Sequence, residues 1–327
     1  MITYKKADRF HVCPALELAW EVFLEFDAGE CEPEAVAKFR ADIVNNKAAI
    51  SNWMSGKTSM YIACDGEQIV GVIGEKWNNG HINILFVKGS YHRRGIATQL
   101  MNHMVCDLKQ RGFDKITVFS SGFALPFYRQ YGFAATDSEH HEDGFVFTPM
   151  EYTPNEIWDI LDEHGRKTGR LIERGRAMVM GDYHLVVHVW KHNRRGQWLI
   201  NKRSNRGNAE IDGKWETTGG SALAGEDSLA AALRETKEEL GVDLGLHQGA
   251  LFRRNRKREN GRTWFQDVWV FEADVPIDAV CLQAEETCDA KWASTEEIRE
   301  MMAAGEFLDG VFYPYFEEMV QWLRKGS

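Results

Sequence analysis

The chain has 327 residues, 44% of them hydrophobic and 27% charged. This ordinary globular composition excludes a disordered or fibrous protein and leaves room for two domains. The formal charge is −10, with 15 basic against 19 acidic side chains through Tyr152 and 24 against 30 beyond it; an acid excess in both halves excludes a chain that wraps nucleic acid through clustered Lys and Arg, and an enzyme or small-ligand binder is expected.

No apolar run approaches the roughly 18 residues of a membrane span, and Met1 to Arg9 is charged where a signal peptide would be apolar. The six cysteines, Cys13, Cys31, Cys64, Cys106, Cys281 and Cys288, form no C-x-x-C pair. That spacing reads as reduced thiols in a cytoplasmic protein rather than a zinc site or disulfide framework.

From the N-terminus, residues 16–26 read as a helix. Residues 61–64 and 69–73 read as strands joined by an Asp65-Gly66 turn, a hairpin signal, and 82–87 as a further strand. His92-Arg93-Arg94-Gly95-Ile96-Ala97 then precedes a long helix in which Ile96, Leu100, Met104 and Leu108 recur every four residues, with Gly112 as its stop. Gly95 permits a tight turn, the first N–H groups of the helix lack partners, and Arg93 and Arg94 add positive charge. The segment reads as an anion-binding turn suited to pyrophosphate, or as an exposed polar loop. A strand over 116–119 follows, then Ser120-Ser121-Gly122-Phe123-Ala124-Leu125-Pro126-Phe127-Tyr128-Arg129-Gln130-Tyr131-Gly132-Phe133.

These segments resemble the GNAT acetyltransferases. Gly95 and Ala97 fill the glycine and small-residue positions of the acetyl-CoA motif [Q/R]-x-x-G-x-[G/A], while His92 stands where Gln or Arg is usual. The resemblance covers roughly residues 1–150 and implies Phe86, Val87, Arg93, Arg94, Gly95, Ile96 and Ala97 as the acetyl-CoA-binding positions. By the later motif, Tyr128 would be the general acid that protonates the leaving thiolate; the alternative is an aromatic that packs the sheet. No general base is assigned, Glu75 being a candidate by position alone.

Thr148-Pro149-Met150-Glu151-Tyr152-Thr153-Pro154-Asn155 holds two of the seven prolines and reads as a connection, giving expected domains 1–152 and 153–327. Beyond it, 184–190, 198–200 and 264–271 read as strands, and 228–240, 295–302 and 315–324 as helices, the first stopped by Gly241. On 228–240, Leu229, Leu233, Thr236 and Leu240 form one stripe, while Glu235, Glu238 and Glu239 fall together on the opposite side. Such like charges repel. A divalent cation held by oxygen ligands, Mg²⁺ or Mn²⁺ rather than zinc, reverses that cost; the alternative is a solvated acidic face.

The span from Gly220 to Val242 resembles the Nudix box, G-x5-E-x7-R-E-U-x-E-E-x-G-U with U aliphatic, and departs from it only at Thr236. The resemblance extends over most of 156–324 and implies hydrolysis of a diphosphate linked to another moiety. By it, Glu235 and Glu239 would be the principal metal ligands, Glu238 would assist, and the Gly220 carbonyl would add a ligand. Arg234 would orient the catalytic glutamates and Glu226 would pair with Arg234. The flanks are similar to the isopentenyl-diphosphate isomerase branch, yet Thr217-Thr218-Gly219-Gly220-Ser221 lacks the cysteine and histidine that isomerase needs. Arg253-Arg254-Asn255-Arg256-Lys257-Arg258 reads as a polyphosphate grip or a solvated hairpin tip. Glu285 and Glu286 are candidates for an extra ligand or base.

The expected architecture is therefore α/β (α+β) with two domains: a GNAT fold around a central mixed sheet, then a Nudix α/β/α sandwich. The expected function is a bifunctional enzyme that acetylates an amine from acetyl-CoA and hydrolyses a nucleoside diphosphate or other diphosphate derivative with Mg²⁺ or Mn²⁺. The alternatives are a non-catalytic acyl-CoA sensor ahead of the hydrolase, or an isomerase as the second activity. The expected partners are small molecules, with neither nucleic acid nor membrane; the oligomeric state is left open.

Overall fold

The computed structural model describes residues 2–207, 209–245, 249–259, 261–308 and 312–326. The chain divides into two compact units, Met1–Ile157 with Thr168–Arg176, and Trp158–Lys167 with Ala177–Ser327. Among the described residues no helix is long and apolar enough to cross a membrane.

The first unit runs β1 (Ile2–Lys6), α1 (Val12–Phe26), α2 (Pro33–Phe39), α3 (Lys47–Met54), β2 (Met60–Asp65), β3 (Gln68–Glu75), β4 (His81–Val87), α4 (Ile96–Gln110), β5 (Ile116–Ser120), α5 (Leu125–Tyr131), β6 (Ala134–Ala135), β7 (His140–Glu142) and β8 (Phe145–Tyr152). Its sheet has the order β1-β2-β3-β4-β5-β8-β6, with β7 on β8. The two long helices take opposite faces, because neighbouring strand residues point opposite ways. Val72 packs with Leu16, Ala19 and Trp53 on the α1 face. At adjacent Gly71 a Cβ would stand 3.0 Å from Leu100 and 3.3 Å from Ile96 of α4. The fourfold recurrence on α4 is its buried stripe, Ile96, Leu100, Met104 and Leu108.

One feature of this sheet sets up a site. β4 and β5 are parallel, yet they pair only at His81↔Thr117 and Ile82↔Val118. β4 continues to Val87 and β5 to Ser120, so the strands part and open a cleft.

The expected division at 152/153 differs from the observed one. The first unit continues to Ile157 and takes back Thr168–Arg176, most of which is the strand β10 (Lys167–Glu173). Buried polar groups hold it there. Leu171 N–H donates to Gln99 Oε1 at 2.8 Å, and its carbonyl accepts from Gln99 Nε2 at 3.1 Å and Asn102 Nδ2 at 2.7 Å. Buried Glu173 accepts from the Tyr152 hydroxyl and from Asn155 N–H. Leaving these groups unpaired would cost about 1–3 kcal/mol each.

The second unit contains β9 (Ile157–Leu161), β11 (His184–His192), β12 (Trp198–Arg203), β13 (Trp215–Glu216), β14 (Thr218–Ser221), α6 (Ser228–Leu240), β15 (Gly249–Glu259), β16 (Arg262–Glu272), β17 (Thr287–Ala293), α7 (Thr295–Ala303) and α8 (Phe316–Gly326). Its sheet has the order β13-β12-β11-β16-β15, with β14 on β11 and β17 on β12. β11 and β16 are parallel from His184↔Trp264 to His192↔Glu272. One core gathers Trp190, Trp198, Phe307, Tyr315 and Met319; a second sets Ala231 and Ala232 of α6 on Val187 and Val189. The Asp227 side chain caps α6 by accepting from Ala230 N–H at 2.8 Å, and left-handed Gly241 ends it.

The arginine run 253–258 is not a hairpin tip. It lies within β15, paired from Arg253↔Val268 to Arg258↔Thr263. Three of its five cations are engaged locally: Arg254 grips fully buried Asp267 through Nε and Nη2 at 2.6 Å each, Arg256 donates to the Tyr183 hydroxyl, and Arg253 pairs with Glu318. Long side chains lying across a sheet reach carboxylates that sequence spacing does not reveal.

Asn102 tests the captured strand, because its amide bridges Leu171 on one side and the Tyr131 hydroxyl, at 2.8 Å, on the other. Asn102→Ala should destabilise the protein by about 2 kcal/mol, read as a lower urea midpoint. An unchanged midpoint would show that the contact contributes nothing.

Candidate functional sites

In the first unit the parted strands open a cavity of 1080 Å³, within the range of small-ligand sites. Phe86, Val87, Arg93, Gly95, Ile96 and Ala97 line it, as the sequence suggests. Arg94 does not; its guanidinium lies 4.7 Å over the Tyr91 ring. The turn ahead of α4 is wound through left-handed conformations, Gly95 at φ 77° and Arg93 at φ 57°. At a non-glycine residue that conformation costs about 1 kcal/mol or more and marks functional turns. His92 Nε2 sits 2.7 Å from the Val87 carbonyl and ties the turn to the end of β4. The first helical residues, whose N–H groups have no partner within the helix, open on the cavity.

Tyr128 of α5 lines the same cavity and is only 6% exposed. Its ring packs edge-on to Phe127 and Phe133, while its hydroxyl has no hydrogen-bond partner among the described residues. Burial, and then the charge of Asp27, pushes the phenol's pKa up, so it holds its proton at neutral pH. The ring thus packs while the hydroxyl remains on the cavity lining. Glu75 is elsewhere: fully buried, it accepts from Ser59 N–H at 3.0 Å and pairs with Arg111, outside the cavity lining. Asp27 and Glu30 do line the cavity; nothing in their local spacing singled them out.

In the second unit, β14 runs beside β11 with Val187↔Gly220, and α6 packs against both. Space at Gly220 is decisive, since a Cβ there would lie 2.1 Å from Glu235 Oε1. Only glycine leaves that carboxylate its place. Arg234 then organises the acids: Nε and Nη2 hold the two oxygens of Glu226 at 2.7 and 3.0 Å, Nη1 reaches Glu235 at 3.0 Å and Glu238 at 2.8 Å, and Nη2 also donates to the Ser221 carbonyl at 2.9 Å. Glu226 in turn accepts from Leu223 N–H. Thr236, where the family has an aliphatic residue, is fully buried and donates its hydroxyl to the Ala232 carbonyl at 2.8 Å.

The two-faced picture of this helix needs correction. Glu235 and Glu239 are buried, as are Ala231, Ala232 and Thr236, while Leu229 and Leu233 are only half-buried and Glu238 is exposed. Two of the three acids thus face β14 and a polar interior, while of the expected apolar stripe Thr236 and Leu240 are fully buried. Glu239 accepts from Asn201 Nδ2 at 3.3 Å, and burial followed by the charges of Glu216 and Glu235 pushes its carboxyl well up. Buried Glu216 is held by Arg203 Nη1 at 2.9 Å on both oxygens; burial raises its pKa to about 7. Lys191, fully buried at the end of an apolar strand, donates to Thr218 Oγ1 at 2.7 Å, and burial lowers its pKa to about 7. Glu286, paired with Arg206, contributes charge to this interior, whereas Glu285 is exposed. Sequence reasoning missed Lys191, Asn201 and Glu216, because their roles arise from burial.

Among the described residues no three His, Cys, Asp or Glu side chains are gathered closely enough to hold an ion as they stand; Arg234 holds Glu235 and Glu238. The donor set nevertheless fits a hard divalent cation. All the candidate side chains are carboxylates, buried Glu239 lies under the repulsion of Glu216, Glu235 and Glu286, and Gly220 keeps open the space in which the Glu235 oxygens rest.

Comparison with known proteins identifies both domain families. The sequence pattern of the acetyltransferase (GNAT) domain matches residues 27–154, and that of the NUDIX domain matches residues 182–316. An uncharacterized Nudix hydrolase of Listeria monocytogenes is 38% identical over 162 residues, 49% of this chain and 90% of the relative. An uncharacterized N-acetyltransferase of Escherichia coli is 31% identical over 109 residues, 32% of this chain and 68% of the relative. An isopentenyl-diphosphate Delta-isomerase of Pectobacterium atrosepticum is 28% identical over 144 residues, 44% of this chain and 79% of the relative.

Two half-buried histidines of the second unit yield a pH prediction. His188, whose Nδ1 lies 2.6 Å from the Tyr315 hydroxyl, has its pKa lowered to about 3 by burial and then by the charge of Lys257. Burial lowers that of His184, stacked on Trp158 near Arg262, to about 4. The unfolded chain binds these protons near pH 6.5 and the folded chain does not. Their contribution is intact above pH 6.5 and is lost as pH falls toward 4, by about 1.4 kcal/mol per pH unit for each. Urea midpoints measured from pH 7 to 4.5 should fall, and less steeply in His188→Asn; identical slopes would refute the assignment.

Proposed function

Because the chain belongs to the Nudix hydrolases by its C-terminal half and to the GNAT acetyltransferases by its N-terminal half, we propose that it is a bifunctional enzyme. The first unit transfers an acetyl group from acetyl-CoA to an amine, and the second hydrolyses a diphosphate derivative with Mg²⁺ or Mn²⁺. The observation that carries the hydrolase reading is the junction of Gly220 and Glu235, with Arg234 binding Glu226, Glu235 and Glu238 at once.

In the second unit, Glu235, Glu238, Glu239 and the Gly220 carbonyl are the groups that would hold the cation. When bound, the cation supplies charge neutralisation at phosphate oxygens and a lowered pKa for the attacking water. Arg234 fixes the orientation of Glu235 and Glu238, and Glu226 fixes Arg234 and the preceding loop. Water attacks phosphorus, the bridging P–O bond breaks, and both products leave as phosphate esters or phosphate. Isomerisation is disfavoured by Thr217 and Thr218 in place of a cysteine; the Thr217 hydroxyl is itself committed to the Val189 carbonyl at 2.5 Å.

In the first unit, the parted-strand cleft would take acetyl-CoA, with the turn 92–97 as the group that would hold its pyrophosphate and Tyr128 the side chain that would face its thioester. A neutral amine attacks the carbonyl carbon, the C–N bond forms as the C–S bond breaks, and the Tyr128 O–H protonates the departing sulfur.

Two measurements test the halves separately. With Mg²⁺ and a panel of nucleoside diphosphate derivatives and prenyl diphosphates, Glu235→Gln and Glu239→Gln should each lower hydrolysis at least about 100-fold; full activity in both would overturn the metal assignment. Thiol release from acetyl-CoA across a panel of amines should fall about 100-fold in kcat for Tyr128→Phe. Acetyl-CoA binding with no turnover on any amine would make the first unit a sensor.

A further inference from the structure

Outside the turn before α4, the lining of the first unit's cleft has a distinct chemistry. Asp27 and Glu30 lie in the connection after α1, and both face the cavity together with the unpartnered Tyr128 hydroxyl. The wall around them is built of phenylalanines. Phe26 stacks on Phe123 with centroids 4.9 Å apart, Phe119 packs on Phe147 at 4.6 Å, and Phe39 meets Phe86 edge-on at 5.9 Å. All six line the cavity. The charged and titratable groups on the lining are Asp27, Glu30, Cys31, Tyr91, His92, Arg93 and Tyr128. Arg93 and His92 belong to the turn before α4, where Phe26 and Phe123 meet the His92 ring at 4.9 and 6.2 Å; the charged groups of the lining outside that turn are the two carboxylates.

We propose that the part of the cleft lined by Asp27, Glu30 and these phenylalanines is the acceptor pocket, built for a primary amine carried on an aromatic body, with Asp27 and Glu30 holding the ammonium and Asp27 taking its proton. The inference rests on the acetyltransferase reading and specifies its substrate class. Two carboxylates at the mouth of an apolar wall select a cation with an apolar remainder. A second charge placed against the phenylalanines would lose its hydration without a carboxylate partner.

The residues around Asp27 fit the role. Ser121 hydrogen-bonds its carboxylate, while burial and then the charge of Glu30 raise its pKa, the direction that improves a base. Gly122 makes room for Glu30, whose Oε2 lies 3.1 Å from where a Cβ would stand. Cys31 is no nucleophile: burial and the charges of Asp27 and Glu30 push its thiol up, and its Sγ donates to the Asp27 carbonyl. Transfer is therefore direct. The ammonium gives one proton to Asp27, which passes it to solvent. The freed amine attacks the thioester, and the nitrogen sheds its second proton to solvent. Tyr128 supplies the proton that ends on sulfur and recovers one from solvent, so the products are the acetamide, the thiol and one proton.

Calorimetry on the full chain with coenzyme A present, using 2-phenylethylamine, 2-phenylethanol and 1,4-diaminobutane, tests the pocket without relying on turnover. We expect 2-phenylethylamine to bind at least tenfold tighter than either of the others. With acetyl-CoA, Asp27→Asn, which keeps the Ser121 contact, should lower kcat at least tenfold and abolish the acidic limb of its pH profile. Glu30→Gln should raise KM with kcat nearly unchanged. Equal binding of the alcohol, preference for the diamine, or wild-type kcat in Asp27→Asn would overturn the proposal. Selective binding of the arylalkylamine with no acetyl transfer would support the pocket and overturn the transferase reading. Acetylation that favours the diamine would do the reverse.

Discussion

Arg234 donates to Glu226, Glu235, Glu238 and the Ser221 carbonyl at once, and the arrangement around the box helix follows from that guanidinium. Three carboxylates this close repel one another, and one of them, Glu235, is buried against Gly220. A planar fork with five donors is the side chain able to hold them together while keeping its own charge. Lysine would present a single point charge and could not satisfy four acceptors in these directions. The loop before α6, the strand β14 and the helix are therefore one unit, and the spacing of Gly220, Glu226, Arg234 and Glu235 is the linear trace of that arrangement.

The first unit solves a different problem. A sheet that opens a cleft cannot keep every strand paired, and β4 and β5 yield: they hold two residue pairs and then separate. The lost ladder is offset by apolar packing of α1 and α4 on the two faces, which also carries the cost of the turn wound through left-handed Arg93 and Gly95. The same separation brings Tyr128, from a helix that follows β5, to the cleft that β4 begins.

Much of this was legible in the sequence because it is local. The box helix, its Gly241 stop, the α4 stripe and the turn at Gly95 all depend on residues within a few turns of one another. What could not be read is tertiary. The stripe of Leu229 and Leu233 suggested one buried face on α6, yet Ala231, Ala232, Glu235 and Glu239 bury the other side, because β14 and the polar interior cover it. The capture of Leu171 by Gln99 and Asn102 joins residues about 70 apart, so no window of sequence contains it. The arginine run suggested a free cationic patch, but Asp267 and Tyr183 claim its members across the sheet.

Lys191 shows how the acid excess is managed inside the second unit. A fully buried ammonium is costly unless countered, and its neighbours in charge are Glu239 and Glu216. Burial drives the lysine toward its neutral form and both carboxyls toward theirs, while each group's charge favours the charged form of the opposite kind. The cluster thus resists the full separation of charge that exposed residues would adopt, and Arg203 adds a cation that holds Glu216 by both oxygens. The charge of −10 on the whole chain says little about this interior, where two cations stand against the buried acids within reach of the box helix. Acidity that reads in the sequence as a surplus is, at this place, a balance held by residues that no spacing rule connects.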